Sequence, residues 1–202
     1  MSVDEPQPVA VKHGVDVNGF MKFIDWVAEN PDDAMLEFRA SGTAEEAANR
    51  TVATIGEWGL GGGEMGADRM HVLEFGLPPE LEEAMDYVEP TDRYEAIEAA
   101  LAGLTACING TIVWNAMREG IAVDEVETRV RVPTDLRMLF GIHDVDSASE
   151  MFGELQIDVD VSGTDLRDED VEKIKQYYRR SPVYTLVTLA QPNEPRVTVR
   201  SA

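Results

Sequence analysis

Cysteine is almost absent from this sequence, since Cys107 is the only one among its 202 residues. A single thiol excludes an internal disulfide framework and a zinc site built from cysteines. Histidine is nearly as scarce: His13, His71 and His143 lie too far apart in the sequence to show the spacing of metal ligands. We therefore expect neither a bound metal ion nor a cofactor.

Lysine is also scarce. It occurs only at positions 12, 22, 173 and 175, and Lys and Arg together number 17 against 39 Asp and Glu, which gives a formal net charge of -22. Nucleic-acid binding needs a basic patch to contact the phosphates, so this composition disfavours it. The acids are spread along the chain. Such a distribution is typical of proteins from a high-salt cytoplasm, where salt screens the repulsion between like charges. An ordinary acidic protein of the cytosol is the alternative interpretation.

The first residues lack the basic region and the apolar run of a signal peptide, so we expect a cytoplasmic protein. Charge is missing from one long segment, residues 99–117, whose length raises the question of a membrane span. The segment contains Asn109 and Asn115, its hydrophobicity comes largely from alanine, and both flanks are charged, all of which disfavour insertion. We predict a helix buried on nearly all sides of a soluble protein, and no membrane partner.

The chain divides into a short leader and one larger domain. Residues 1–33 read as a loose arm followed by a helix, in which Phe20, Ile24 and Val27 lie on one face and Asn18 is the predicted N-cap. Residues 34–202 form the second part. There the patterns predict strands in "AMLEFRASGT", "NRTVATIGEW" and "RMHVLEF", an acidic surface loop in "LPPELEEAMDYVEPTD", and the long uncharged helix.

After that helix we predict strands in "IAVDEVETRVRV" and "FGELQIDVDVSG", a helix in "LRDEDVEKIKQYYRR", and two closing strands in "SPVYTLVTLA" and "PRVTVRSA". The strands come in groups instead of alternating singly with helices. This order predicts an α+β fold with antiparallel sheets.

Taken alone, Cys107 is more often a core residue than a nucleophile, because a buried cysteine behaves as a small hydrophobe. Reactivity needs a nearby cation that stabilises the thiolate. Arg39 and Arg50 lie on or near the N-terminal strands, and Glu98 lies about two and a half helical turns before the cysteine. A set of Cys107, Arg50 or Arg39, and Glu98 would let the arginine stabilise the thiolate while the glutamate orients the arginine.

Several segments resemble one known family. The segment "EAALAGLTACINGTIVWNAMREGI" is similar to the central helix of the OsmC/Ohr superfamily, named for osmotically inducible protein C and organic hydroperoxide resistance protein. "FRAS" at 38–41, "NRT" at 49–51, "DLRMLFGI" at 135–142 and "RSPVYTLVT" at 180–188 resemble further landmarks of an OsmC-like branch, in the same order. The resemblance spans roughly residues 34–200.

The resemblance implies a fold and a chemistry. Members are intertwined homodimers with the sites at the dimer interface, and the well-studied ones are thiol peroxidases that reduce organic hydroperoxides. Cys107 matches the peroxidatic cysteine, Glu98 the helix glutamate, and Arg50, with Arg39 behind it, the activating arginine. The position of the second, resolving cysteine falls on Ser181, so the resemblance implies that an external thiol reductant resolves the sulfenic acid.

Two hypotheses follow. In the first, the protein is a homodimeric thiol-dependent redox protein that reduces organic hydroperoxides through the Cys107 thiolate. In the second, it is a non-catalytic OsmC-like dimer that binds a small apolar ligand or acts in the stress response, and Cys107 is only a packing residue. Absence of a second cysteine keeps the second hypothesis open.

Overall fold

The computed structural model describes residues 11–190 and 195–200. The chain divides between Ala100 and Leu101 into two units, a first unit that is rich in short strands and a second that contains the longest helix and strands. Helices and antiparallel sheets are both present, which confirms the predicted α+β class. The predicted boundary at residues 33 and 34 stays a prediction.

The first unit begins with a small hairpin and a helix. Strands β1 (Val11–Lys12) and β2 (Val15–Asp16) pair antiparallel, and helix α1 (Val17–Glu29) follows directly. The Asp16 side chain accepts a hydrogen bond from the Asn18 backbone N–H, so Asp16 and not the predicted Asn18 is the N-cap. The part of the predicted loose arm that the structure describes, from residue 11, forms a β-hairpin, and the first ten residues lie outside the described range.

Two three-stranded antiparallel sheets follow in the first unit. One has the order β3 (Leu36–Glu37), β6 (Trp58–Leu60), β7 (Gly63–Met65), and the other β4 (Ser41–Ala44), β5 (Thr51–Ile55), β8 (His71–Phe75). Two of the predicted strands are therefore each split into two, and each half joins a different sheet. The glycine-rich segment makes the tight β6–β7 turn, where Gly61 and Gly62 have φ of +55° and +79°.

The segment predicted as an acidic surface loop contains helix α2 (Pro79–Ala84). Pro79 occupies the first turn, and Glu80 and Glu82 lie in the same turn, where carboxylates stabilise the positive end of the helix dipole. Glu82 is fully buried. The prediction of a purely exposed loop is therefore wrong here, because the burial of one carboxylate depends on a partner elsewhere in the chain.

Helix α3 (Ala96–Arg118) crosses the division between the units, and the second unit is built on it. Strands β9 (Val123–Arg131) and β10 (Gln156–Gly163) pair antiparallel with Val159 opposite Thr128. Between them lie helix α4 (Leu136–Leu139) and a 3-10 helix (Val145–Glu150). Helix α5 (Asp168–Tyr177) follows, with a 3-10 turn (Tyr178–Arg180) after it, and helix α6 (Pro182–Thr188) ends the regular structure.

Both predicted closing strands are wrong within the described residues. "SPVYTLVTLA" contains helix α6, because Ser181 caps it and Pro182 supplies a backbone angle suited to the first helical position. Its alternating pattern is too short to separate strand from helix. Residues 195–200 form no strand, and residues 201–202 lie outside the described range.

The core of the second unit lies between α3, the β9–β10 hairpin and α5. Leu104, Ile108 and Ile112 project from one face of α3 and are almost fully buried, and Ile174 and Tyr177 of α5 belong to the same cluster. The inner side chains of the hairpin pack against this cluster. Residues four apart lie on the same face of a helix, so a single stripe of α3 supplies most of the helix's buried side chains.

The other side of α3 is uncovered, which contradicts the prediction of a helix buried on nearly all sides. Trp114 is 60% exposed, and Ala102, Gly103 and Ala106 are exposed as well. By length and mean hydropathy (1.5), α3 is the one helix among the described residues that meets the composition of a membrane span. Core helices of soluble proteins meet the same criterion, and its buried stripe packs against protein side chains.

Candidate functional site

Cys107 lies beside the uncovered face of α3. The residues at helical spacing from it are Gly103, Gly110 and Trp114, whereas the buried stripe of Leu104, Ile108 and Ile112 borders it on the other side. The cysteine is partly exposed and unpaired with any other thiol. A Cβ added at Gly103 or Gly110 would meet no atom within 4 Å, so the space beside the cysteine is open. A small molecule or a second protein surface can therefore approach this thiol.

Arg50 is held by a buried carboxylate in the first unit. Its Nε and Nη2 atoms donate to the two carboxylate oxygens of Glu82 at 3.1 and 2.6 Å. The Arg50 side chain is 11% exposed, and the Glu82 side chain is fully buried. Arg50 Nη2 also donates to the Glu89 carbonyl oxygen at 2.6 Å, and the guanidinium lies over the Tyr87 ring.

Glu82 receives a third donor, because the Thr91 backbone N–H donates to it at 2.7 Å. The hydrogen bonds from Arg50 are the main reason that the pKa of Glu82 lies below its ordinary value, and burial opposes them. The same pair raises the pKa of Arg50. The charge of Arg50 is therefore already balanced within its own unit, and the pair ties the residue just before strand β5 to the segment that contains α2.

Arg39 is engaged in a different and exposed network. Its Nε donates to Glu37 at 2.6 Å, and its Nη1 and Nη2 donate to Glu64 at 2.8 and 3.0 Å. These two carboxylates raise the pKa of Arg39. Arg39 thus links strands β3 and β7 across β6, a role that its place in the sequence did not indicate.

Glu98 is exposed in the first turn of α3 and accepts a long hydrogen bond, 3.4 Å, from the Glu95 backbone N–H. The structure does not pair it with Arg50, whose carboxylate partner is Glu82. Sequence reasoning missed Glu82. The signal available for it was the proline-led, acidic first turn of α2, which predicts a short helix but not the burial of its fourth residue.

Ser181 stands where the resemblance places a second cysteine, and it is fully buried. Its Oγ accepts the Tyr184 backbone N–H at 3.2 Å, which makes it the N-cap of α6. This residue therefore has a structural role that does not depend on redox chemistry. Among the described residues, no group of three or more His, Cys, Asp or Glu is placed to hold a metal ion.

A scan against protein-family models finds no match, and a search of curated proteins finds no significant similarity. Among solved structures, an OsmC-like protein from Mycoplasma pneumoniae is similar with a TM-score of 0.50 at 12% sequence identity, over 75% of this chain and 86% of that one. The chain has an OsmC-like fold. Agreement at this low identity concerns the fold, which the sequence resemblance had implied.

Two further solved structures have lower scores. The organic hydroperoxide resistance protein OhrB of Bacillus subtilis has a TM-score of 0.44 at 16% identity, over 75% of this chain and 89% of that one. An organic hydroperoxide resistance protein from Elizabethkingia anophelis has a TM-score of 0.48 at 12% identity, over 75% and 86% of the two chains. Within the OsmC-like fold, the roles assigned to Cys107, Glu98, Arg50 and Arg39 stay predictions.

Proposed function

We propose that this chain is an OsmC/Ohr-type, thiol-dependent peroxidase that reduces organic hydroperoxides through Cys107. The main support for this proposal is the position of the lone thiol, which is partly exposed beside the open face of the long helix in an OsmC-like fold. A thiol used only for packing would more often be sealed among the apolar side chains of the buried stripe.

The reaction balances with one external reductant. The Cys107 thiolate attacks the terminal oxygen of the hydroperoxide, the O–O bond breaks, and the alkoxide takes a proton and leaves as the alcohol. The cysteine becomes a sulfenic acid. One molecule of a small thiol then forms a mixed disulfide and releases water, and a second displaces Cys107 and leaves as the oxidised disulfide. Ser181 takes no part, because it has no sulfur and caps α6.

We propose that the active form is a homodimer. The open face of α3 carries Trp114 and small residues, an apolar surface that a soluble monomer would leave in water. Among the described residues of the first unit, Leu77 is the only buried hydrophobic side chain. A second copy of the chain would cover such surfaces. Activation of the thiol by Arg50 or Arg39, with Glu98, is then a property of the assembled dimer.

The proposed setting is a cytoplasm of high salt concentration. At a net charge of -22 the acidic side chains repel one another strongly in dilute solution. Concentrated salt shortens the range of that repulsion to about 3 Å at 1 M. Assays of the peroxidase therefore belong in molar KCl.

The test is selective oxidation of Cys107. The wild-type chain and C107S are treated with cumene hydroperoxide or hydrogen peroxide in about 2 M KCl, which screens the surface charges. Sulfenic acid is then trapped with dimedone and located by mass spectrometry. We expect trapping at Cys107 with cumene hydroperoxide and turnover when a dithiol is added. If Cys107 resists the peroxide while a reference thiol peroxidase is oxidised, the proposal is wrong.

A second arm tests the activating set. Glu98 is exposed, and a glutamine keeps an oxygen that can accept the Glu95 N–H, so we expect E98Q to fold and a lower rate of Cys107 oxidation in it would support the role of Glu98. The matched control is E95Q: Glu95 lies in the same segment, but its carboxylate accepts a hydrogen bond from the Ile97 backbone N–H at 2.5 Å. Equal rates in wild type, E98Q and E95Q would remove Glu98 from the mechanism.

A further inference from the structure

A cavity of about 590 Å³ lies within the second unit. One wall is the inner face of β10, with Ile157, Val159 and Val161. Helix α5 supplies the facing wall through aliphatic side chains that include Ile174, and Ile112 of α3 contributes as well. This volume is within the range of pockets that hold small ligands. Cys107 is not among the lining residues.

The polar groups of the cavity are few and share one property. They are Lys175, Tyr178 and Tyr184, each of which can donate a hydrogen bond. The rings of Tyr178 and Tyr184 meet edge to face, with centroids 5.0 Å apart, which fixes one end of the wall. Among the described residues that line the cavity, none is Asp or Glu, although the chain contains 39 of them.

We propose that this cavity binds an aliphatic carboxylate, with its tail against β10 and its head group at Lys175. The apolar walls suit a hydrocarbon chain, and a cavity that has donors and no carboxylate suits an anionic head. In so acidic a chain, a lining without Asp or Glu lowers the repulsion that such a head group meets elsewhere, although Glu172 contacts Lys175 from outside the lining. The inference does not rest on the peroxidase proposed above.

Lys175 has a competing partner. Its Nζ lies 2.6 Å from Glu172 Oε1 in a pair that is mostly exposed. An exposed pair of this kind contributes little to stability, so the ammonium group can turn to a ligand carboxylate at small cost. Glu172 therefore sets the affinity of the head-group site, and its removal should strengthen binding.

The test compares three ligands that differ only in the head group. Decanoate, decanol and decylamine are titrated into the full-length protein in about 0.5 M KCl by calorimetry, a salt level that keeps the screening length short. We expect saturable binding of one decanoate per chain, weaker binding of decanol and the weakest binding of decylamine. K175Q should lower the decanoate affinity about tenfold without changing that of decanol, and E172Q should raise it, because a tenfold change corresponds to one charged hydrogen bond.

Two further variants separate a filled cavity from a damaged fold. V159W places a large ring in the cavity and should abolish binding of both decanoate and decanol. S162W places the same ring on the outer face of the same strand and should leave binding unchanged. Circular dichroism and the melting temperature establish that each variant is folded.

Three results would overturn the inference: no saturable binding of decanoate, full binding by folded V159W, or decylamine bound as tightly as decanoate. If a second subunit fills the cavity instead, decanoate will show no saturable binding. C107S should bind decanoate like the wild type, so a failed peroxidase assay with intact binding refutes only the proposed function, and the reverse pattern refutes only the cavity.

Discussion

Arg50 and Glu82 show that the role of a residue depends on the partner that folding gives it. The arginine was expected beside the cysteine with Glu98, but its guanidinium lies against a fully buried carboxylate 32 positions away. Burial of two charges is tolerated here because Glu82 also receives the Thr91 N–H and Arg50 reaches the Glu89 carbonyl oxygen. Such a pair stabilises the segment around α2 only while both charges are present.

We predict that E82Q lowers the melting temperature at pH 7 several times more than E64Q. The reason is that E82Q leaves Arg50 buried without its counter-charge, whereas Glu64 belongs to the exposed Arg39 network. Thermal denaturation followed by circular dichroism measures both. Equal losses in the two variants would contradict a structural role for the buried pair.

The same pair predicts a pH dependence. The folded state lowers the pKa of Glu82, so its stabilisation is complete above the ordinary glutamate pKa and is lost as pH falls through the lowered value. The difference in melting temperature between wild type and E82Q should therefore shrink in acid. A difference that stays constant from neutral pH down to strongly acidic pH would show that the Glu82 charge is not what stabilises the fold.

Tyr177 leads us to predict a loss of stability at alkaline pH. Burial, with a smaller contribution from Glu119, raises its pKa to about 12 from 10.0. Burial is the larger of these causes, since the phenol lies in the core of the second unit. The neutral phenol is favoured in the folded state, so this stability is complete below pH 10 and is lost towards pH 12. Y177F should lose less stability across this interval than wild type in chemical denaturation, and exposed-site Y94F should behave as wild type.

At the scale of elements, the sequence predicted helix α3 correctly and helix α6 incorrectly. Helix α3 was predicted from its uncharged length, and its position in the chain is confirmed. Its burial was misjudged because an apolar composition does not reveal which faces have neighbours. Helix α6 was predicted as a strand, since its short run of Val, Tyr, Thr and Leu has high strand propensity. The cap at Ser181 and the first-turn Pro182 decided for the helix.

The cap leads to a stability prediction. S181A removes the oxygen that accepts the Tyr184 N–H, and the loss of an N-cap typically costs about 1 kcal/mol. We expect that decrease in the free energy of unfolding by denaturant titration. T188A, at the exposed end of the same helix, is the control and should cost less. If S181A is as stable as wild type, the hydroxyl does not act as a cap in solution.

At the scale of the whole molecule, the exposed apolar surfaces require an explanation. Met35, Phe38 and Met70 of the first unit and Trp114 of α3 are all at least 60% exposed. Scattered exposed hydrophobic residues are normal, but an uncharged helix face with an open tryptophan is typical of an association surface. The proposed homodimer supplies the missing cover.

We predict a mass near twice 22.3 kDa by light scattering in molar salt. W114E should give a monomer that keeps its helical signal, because Trp114 lies outside the buried stripe. V145E is the control, since Val145 is 79% exposed and belongs to the 3-10 helix and not to α3. A wild-type monomer, or a W114E dimer as stable as wild type, would contradict association through this helix face.

The net charge predicts a salt response. Raising KCl should raise the melting temperature, because screening weakens the self-repulsion of a chain with 39 acids and 17 bases. Sucrose at the same osmolality is the control, since it strengthens burial without screening charge. If KCl and sucrose stabilise equally, charge repulsion is not the reason, and the high-salt interpretation fails.

The sequence by itself determined the α+β class, the central helix, the two long strands that follow it and the helix after them, because long periodic segments record which local structure buries their apolar residues. It also supplied the lone thiol and the acidic surface. Only the tertiary structure decided that Arg50 pairs with Glu82, that one side of α3 is open, and that an acid-free cavity lies against β10. These features depend on contacts between residues far apart in the chain, which neither periodicity nor composition encodes.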